Sequence, residues 1–284
     1  MPACDAFDSG MGMTPEKTGF LLRFHGERGR AALSVHGAGF NEIATLAWVR
    51  AGHADSRAET LLHPLERSYY ATIPAERRRN GYLLGRHAAK YALGAETRAV
   101  EVCIEAGSMG QPVLTGPGCG GRELSISHQD ALACAVAGPA TTPITLDLEA
   151  VDPEHTEAIL AKTTQRERAL CGIGLDGDTD EWATVLWTAK EALSKFLRCG
   201  LGCNLQVLEI GDLRKSAERL EGHFRNFPQY RFISWVPAPG YVLTLVLPAA
   251  LELSVSTSND SLFSKDAKED ISDVGFAFRH SADS

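Results

Sequence analysis

A chain of 284 residues, 44% hydrophobic and 23% charged, can bury one large core or two smaller ones, and no apolar run in it approaches bilayer-spanning length. Its formal net charge of −8 excludes broad, sequence-independent nucleic-acid binding, which needs a basic face, and leaves room for a local basic pocket. Seven scattered cysteines, an odd number, do not outline a disulfide framework; free thiols in a reducing cytosol are expected.

Residues 1–18 carry no sustained period and are expected to be a loose lead-in, and no basic start with an apolar block signals a secretory leader. Apolar runs between Gly19 and Ala51, such as Ile43 to Val49, predict strands. Residues 64 to 94 predict two helical pieces broken near Ile73-Pro74, the second stopped by Gly94. Val100 to Ala106 alternates as a strand would, and Gly107 to Pro112 is turn chemistry leading into Val113-Leu114. Strands are expected at Leu124 to His128, Ala131 to Ala137 and Ile144 to Glu149. Helices are expected over about 153–171 and 181–198, then closing strands at Arg231 to Val236 and Tyr241 to Leu247. Beyond residue 253 the Ser-, Asp- and Lys-rich composition predicts disorder. Glu66-Arg67 and the helix Arg86 to Leu93 are echoed by Glu167-Arg168 and the helix Lys190 to Leu197, as if two similar halves packed face to face around a cleft.

Several residues can carry chemistry. Asp147 and Glu149 stand two apart on a predicted strand, so they share a side and repel unless a cation lies between them; Mg²⁺ is the obvious hard ion for such oxygens. An Asp-x-Glu by itself is more often a solvated strand face. Glu191 and Lys195 stand four apart and share one helix face, where a third carboxylate and an ammonium sit a turn from each other. The bland alternative is a surface ion pair, with Lys190 a plain surface lysine. Ser127 and His128 sit at a strand end and can grip a phosphate or a nucleotide edge. As sequence neighbours they point to opposite faces, which is wrong for a nucleophile and its base. The Arg77-Arg78-Arg79 cluster, with Arg67 and Arg86 nearby, suits a polyphosphate, and a solvated helix face accounts for part of it. Cys199 and Cys203 flank Gly-Leu-Gly, but no second pair or histidine completes a zinc site.

Together these residues resemble the 4'-phosphopantetheinyl transferase superfamily, in its larger surfactin-synthetase-activating type, over about residues 60 to 205. Trp187-Thr188-Ala189-Lys190-Glu191-Ala192-Leu193-Ser194-Lys195 is similar to that family's Trp-x-x-Lys-Glu-x-x-x-Lys signature. Asp147-Leu148-Glu149 resembles its Asp-x-Glu segment, Ser125 to His128 its Ser-x-Ser-His segment, and Gly110-Gln111-Pro112 its Gly-Lys-Pro turn. The resemblance implies an α+β fold of two similar halves related by a pseudo-twofold, with the site in the cleft between them. The halves would span 19–143 and 144–253, followed by a disordered tail at 254–284.

The reaction implied is transfer of the phosphopantetheine arm of coenzyme A to a serine of an apo acyl or peptidyl carrier protein, releasing 3',5'-ADP. By residue match, Asp147, Glu149 and Glu191 would bind Mg²⁺. Glu191 would be a candidate base, and Lys195 would contact the phosphates. Ser127 and His128 would hold the nucleotide end, with Arg67, Arg79, Arg86, Gln111 and Lys190 in the coenzyme A-binding set. Two positions depart from the pattern: Gln111 stands where a lysine is common, and Thr145 stands where a glycine precedes the Asp-x-Glu pair, a side chain expected to crowd the cleft. The expectation is a monomeric cytoplasmic enzyme with no nucleic-acid or membrane partner. The rivals are a non-catalytic homologue that binds carrier protein or nucleotide, and a Mg²⁺-dependent phosphohydrolase.

Overall fold

The chain enters on a long hairpin, β1 (Arg28–Gly37) and β2 (Phe40–Arg50), whose ladder closes at the pair Gly37–Phe40. The two-residue turn between them places Gly39 at φ 89°, a backbone that only glycine adopts without strain. The computed structural model describes residues 22–53, 58–170, 178–216 and 219–256. The expected lead-in and residues 257–284 of the expected tail lie outside them.

Two five-stranded antiparallel sheets carry the fold. In the first, β2 pairs with β6 (Leu132–Pro139), which pairs with β5 (Arg122–Gln129), and β12 (Glu252–Ser256) lines the free side of β1. The second runs β7 (Thr145–Ala150), β11 (Tyr241–Pro248), β10 (Tyr230–Ala238), β9 (Arg219–Phe224) and β8 (Ile210–Ser216). A two-stranded ribbon, β3 (Cys103–Ala106) and β4 (Pro112–Thr115), completes the strands described.

Period-2 alternation sorts the side chains into layers. Leu132, Cys134 and Val136 of β6 and Leu46 and Trp48 of β2 meet Leu146, Leu148, Leu243 and Leu245 of the other sheet in one central core. The opposite faces of the same strands, Ala47, Val49, Ala133, Ala135 and Ala137, take α3 (Glu76–Ala92) through Leu84, Ala88 and Ala92. On the far side Val242 and Val246 take α6 (Thr179–Phe196) through Trp182, Leu186, Ala189 and Leu193. Antiparallel sheets with helices on their outer faces are an α+β architecture. The shorter helices are α1 (Ala58–Leu61), α2 (Pro64–Thr72), α4 (Pro153–Ala161) and α5 (Gln165–Ala169).

One buried ion pair occurs in both sheet–helix units. Lys90 on α3 reaches Glu66 at the third position of α2 (2.5 Å), and Lys190 on α6 reaches Glu167 at the third position of α5 (2.8 Å). Each glutamate closes a capping box at its own helix start and takes the backbone N–H of a strand, Ile104 or Ile210. Burial pushes the Lys90 ammonium down, and the Glu66 carboxylate opposes that shift.

Four expectations need correction. The strand expected over Val100 to Ala106 starts only at Cys103, since Glu96–Glu101 is a 3-10 turn whose Ala99 carbonyl accepts from the Lys90 ammonium. The helix expected over 153–171 breaks where Thr164 caps α5 and accepts from the Glu167 N–H. Ile210–Ser216 and Arg219–Phe224 are two strands that the pattern did not show. The chain also stays ordered in a sheet to Ser256, beyond the expected tail start, because Leu253 and Val255 are buried against β1 and the core.

Candidate active site

Strand β7 presents Leu146 and Leu148 to the central core, so Thr145, Asp147 and Glu149 face α6. There they meet Glu191 and Lys195, one turn apart on the helix. Ligand oxygens of Asp147, Glu149 and Glu191 all lie within 4.8 Å of one another. The Lys195 ammonium donates to Asp147 Oδ1 at 2.7 Å and to the carbonyls of Leu146 and Ile126 at 3.1 and 3.3 Å. Ser127 also donates to Asp147 Oδ1, at 2.8 Å. The other oxygen, Oδ2, is buried and without a hydrogen-bond partner, although Asp147 is only 1% exposed.

Three carboxylates share one ammonium, and the electrostatics show the imbalance. Burial first, then Asp147 and Glu191, push the Glu149 carboxyl up to about 8, against the pull of Lys195 and a hydrogen bond from Trp187. Burial and Asp147 push Glu191 up to about 7. A cation held by these residues would offset their repulsion, and Asp147 Oδ2 is an acceptor with no other partner. The donor set is all carboxylate oxygen, so the residues fit a hard divalent ion.

Two cavities adjoin this group: Lys195 lines one, and Glu149 and Glu191 line the other. A cleft of ≈1050 Å³ opens on the Lys195 side, walled by α3, β5, the β3–β4 turn and the end of α6. A pocket of ≈320 Å³ opens on the other side, where Glu149 and Glu191 meet Trp187, Ile159, His155 and Lys162. His128 lines the large cleft and is pushed down first by burial, then by Lys195, which favours the neutral ring. Its imidazole lies against α3 because Gly81 and Gly85 lack side chains: a Cβ at Gly81 would stand 2.7 Å from the ring. Arg86 lines the same cleft, its guanidinium 4.4 Å above the Tyr82 ring and anchored to Ile104 O and Glu66.

The other expected site residues fall in different places. Gln111 lines the cleft, with its side-chain oxygen accepting from the Met109 N–H. Thr145 lines it too and does not stand idle: its hydroxyl donates to the carbonyl of Ala192, tying β7 to α6 (2.7 Å). Ser127 faces Asp147, on the opposite side of β5 from His128. Lys190 is not at the site, since its ammonium is buried on Glu167 and the Leu205 carbonyl. Arg79 bonds the carbonyls of Ile73 and Pro74 at the α2–α3 joint, Arg77 pairs with Asp130 on the surface, and neither they nor the half-buried Arg67 line the cleft. Gln129 is a residue the sequence reading passed over; its amide donates to Glu149 Oε2. The signal was there, because Ser125, Ser127 and Gln129 share one strand face.

The stretch that holds the carboxylates is also the one that a family model matches. The family model of the 4'-phosphopantetheinyl transferase superfamily matches residues 143–246, from the start of β7 to β11, with α6 between. The match covers about a third of the chain, the stretch that carries Asp147, Glu149, Glu191 and Lys195. No curated protein matches the chain. Among the described residues no helix is long and apolar enough to cross a membrane.

Proposed function

We propose that this protein transfers the 4'-phosphopantetheine group of coenzyme A to a serine hydroxyl of an acyl or peptidyl carrier protein and releases 3',5'-ADP. The observation that carries the reading is the convergence of Asp147, whose Oδ2 is buried and unpartnered, with Glu149 and Glu191, at the junction between the cleft that Lys195 lines and the pocket that the two glutamates line. Asp147, Glu149 and Glu191 would hold Mg²⁺, which when bound offsets the charge of the diphosphate. A diphosphate at that junction has two substituents, and the cavities differ in size accordingly. The cleft takes the nucleotide end, against His128 and Arg86, and the smaller pocket takes the pantetheine arm.

Lys195 reaches into the large cleft while bonded to Asp147. Its ammonium stabilises the charge that gathers on the departing 3',5'-ADP as the serine oxygen bonds to phosphorus and the diphosphate bridge breaks. The serine proton passes to Glu191, whose two oxygens allow one for the ion and one for the proton. The two sheet–helix units are read as pseudo-twofold halves, supported by the matched Lys90–Glu66 and Lys190–Glu167 pairs.

Incubating the protein with coenzyme A, Mg²⁺ and an apo-carrier protein tests this. A carrier mass gain of one phosphopantetheine supports the reading. An unchanged carrier and intact coenzyme A indicate a non-catalytic binder, and coenzyme A breakdown without transfer indicates a hydrolase.

A further inference from the structure

Just past the site helix, the chain makes a tight excursion that brings two thiols together. Helix α6 ends at Phe196, Arg198 turns into a left-handed backbone (φ 55°), and a single 3-10 turn, Gly200–Gly202, separates Cys199 from Cys203. Their sulfurs lie 3.8 Å apart. Each has only a weak further contact, Cys199 with the Ser194 carbonyl and Cys203 with the Gly200 carbonyl, both at 3.7 Å. Both are partly exposed, whereas Cys103, Cys119 and Cys134 are buried. Among the described cysteines, the pair alone combines proximity with access.

We propose that Cys199 and Cys203 are a modification site: a dithiol that closes to a disulfide by exchange with a low-molecular-weight disulfide. A disulfide needs sulfurs about 2.05 Å apart, so less than about 2 Å of approach is required, within reach of side-chain rotation. Burial and the neighbouring Cys203 push the Cys199 thiol up, which makes Cys203, at the more open position, the attacking group. Cys203 loses its proton to solvent and attacks one sulfur of the reagent, and the first reagent thiolate leaves. Cys199 then gives up its proton and attacks the Cys203 sulfur, and the second thiolate leaves. Two cysteine thiols lose two electrons and two protons, and one reagent disulfide becomes two thiols.

The site sits on the rim of the cleft. Arg198 and Gly200 line it, and Arg198 reaches across to Glu123 on β5 at 2.8 Å. Closing the pair therefore fixes the turn that carries this cross-cleft contact. The inference stands on the turn itself, whichever reaction the cleft serves.

The folded full chain is incubated in glutathione disulfide over a series of glutathione ratios, trapped with iodoacetamide and mapped by peptide mass. The expected result is a Cys199–Cys203 peptide lighter by two hydrogens, reversed by dithiothreitol. The Cys199→Ser variant should instead accumulate a stable glutathione adduct on Cys203, and Cys203→Ser much less adduct on Cys199. Three outcomes overturn the proposal: both residues alkylated at every ratio, a lasting glutathione adduct on the unsubstituted protein, or linkage of either residue to another cysteine.

Discussion

The two sheet–helix units use the same buried Lys–Glu pair for different ends. In the first, Glu66 serves Lys90, Arg86 and the Ile104 N–H together, and the residue after Lys90 is Tyr91, packed beneath Arg28 and Arg30. In the second, Glu167 holds Lys190, and the next residue is Glu191, aimed at the carboxylates of β7. The pair is therefore scaffold: it fixes a helix on its sheet. What differs is the residue one position later, about 100° round the helix: Tyr91 in the first unit and, in the second, the Glu191 to which the proposed chemistry is assigned.

That division can be broken from either side. Asp147→Asn should keep the fold and lower transfer by about 10²–10³-fold or more, the scale seen when one charge-stabilising group is lost, with Mg²⁺ binding weakened in calorimetry. Full activity in that variant would remove the second unit from the chemistry. The scaffold side is next. Glu66→Gln or Glu167→Gln leaves a buried ammonium without its counter-charge and should cost about 3–5 kcal/mol in denaturant melts. Glu66→Gln should be the worse, because Arg86 loses its anchor as well.

A pH series separates the units further. Glu149 and Glu191 titrate near 8 and 7, above the ordinary 4.5, so the metal-free fold binds more protons than the unfolded chain between those values. Stability should accordingly fall as pH rises from about 4.5 toward 8, and Mg²⁺ should restore it most at the alkaline end. A melting temperature that ignores Mg²⁺ at pH 8 would contradict the metal assignment. The mildest test is Gly81→Ala, which pushes His128 away from α3 and should raise the KM for coenzyme A by about tenfold or less, the cost of roughly one hydrogen bond, with kcat little changed.

The sequence carried the acidic centre well because two periods survive folding there: two residues along β7 and four along α6. Lys190, placed in the coenzyme A-binding set by residue match and otherwise read as a surface lysine, is neither: it is buried on Glu167. The correcting signal was the echo itself, since Glu66 precedes Lys90 by 24 residues and Glu167 precedes Lys190 by 23. Arg79 shows the limit of reading arginine clusters, because a guanidinium can satisfy a helix joint as readily as a phosphate. Strand β8 was hidden for a related reason: it is an edge, and Asp212, Arg214 and Lys215 interrupt its apolar residues. The helical glycines 81 and 85 carried no signal in the sequence, because their use is to leave room for the His128 ring.

The return of Glu252–Ser256 to the side of β1 has a consequence for how the molecule comes into being. During synthesis the first sheet keeps an open margin of hydrogen-bonding groups until the second unit has been made and the chain doubles back. The two units are thus buckled by a late strand, and a fragment stopping at residue 250 would leave β1 bare and the first unit prone to pair with another copy of itself.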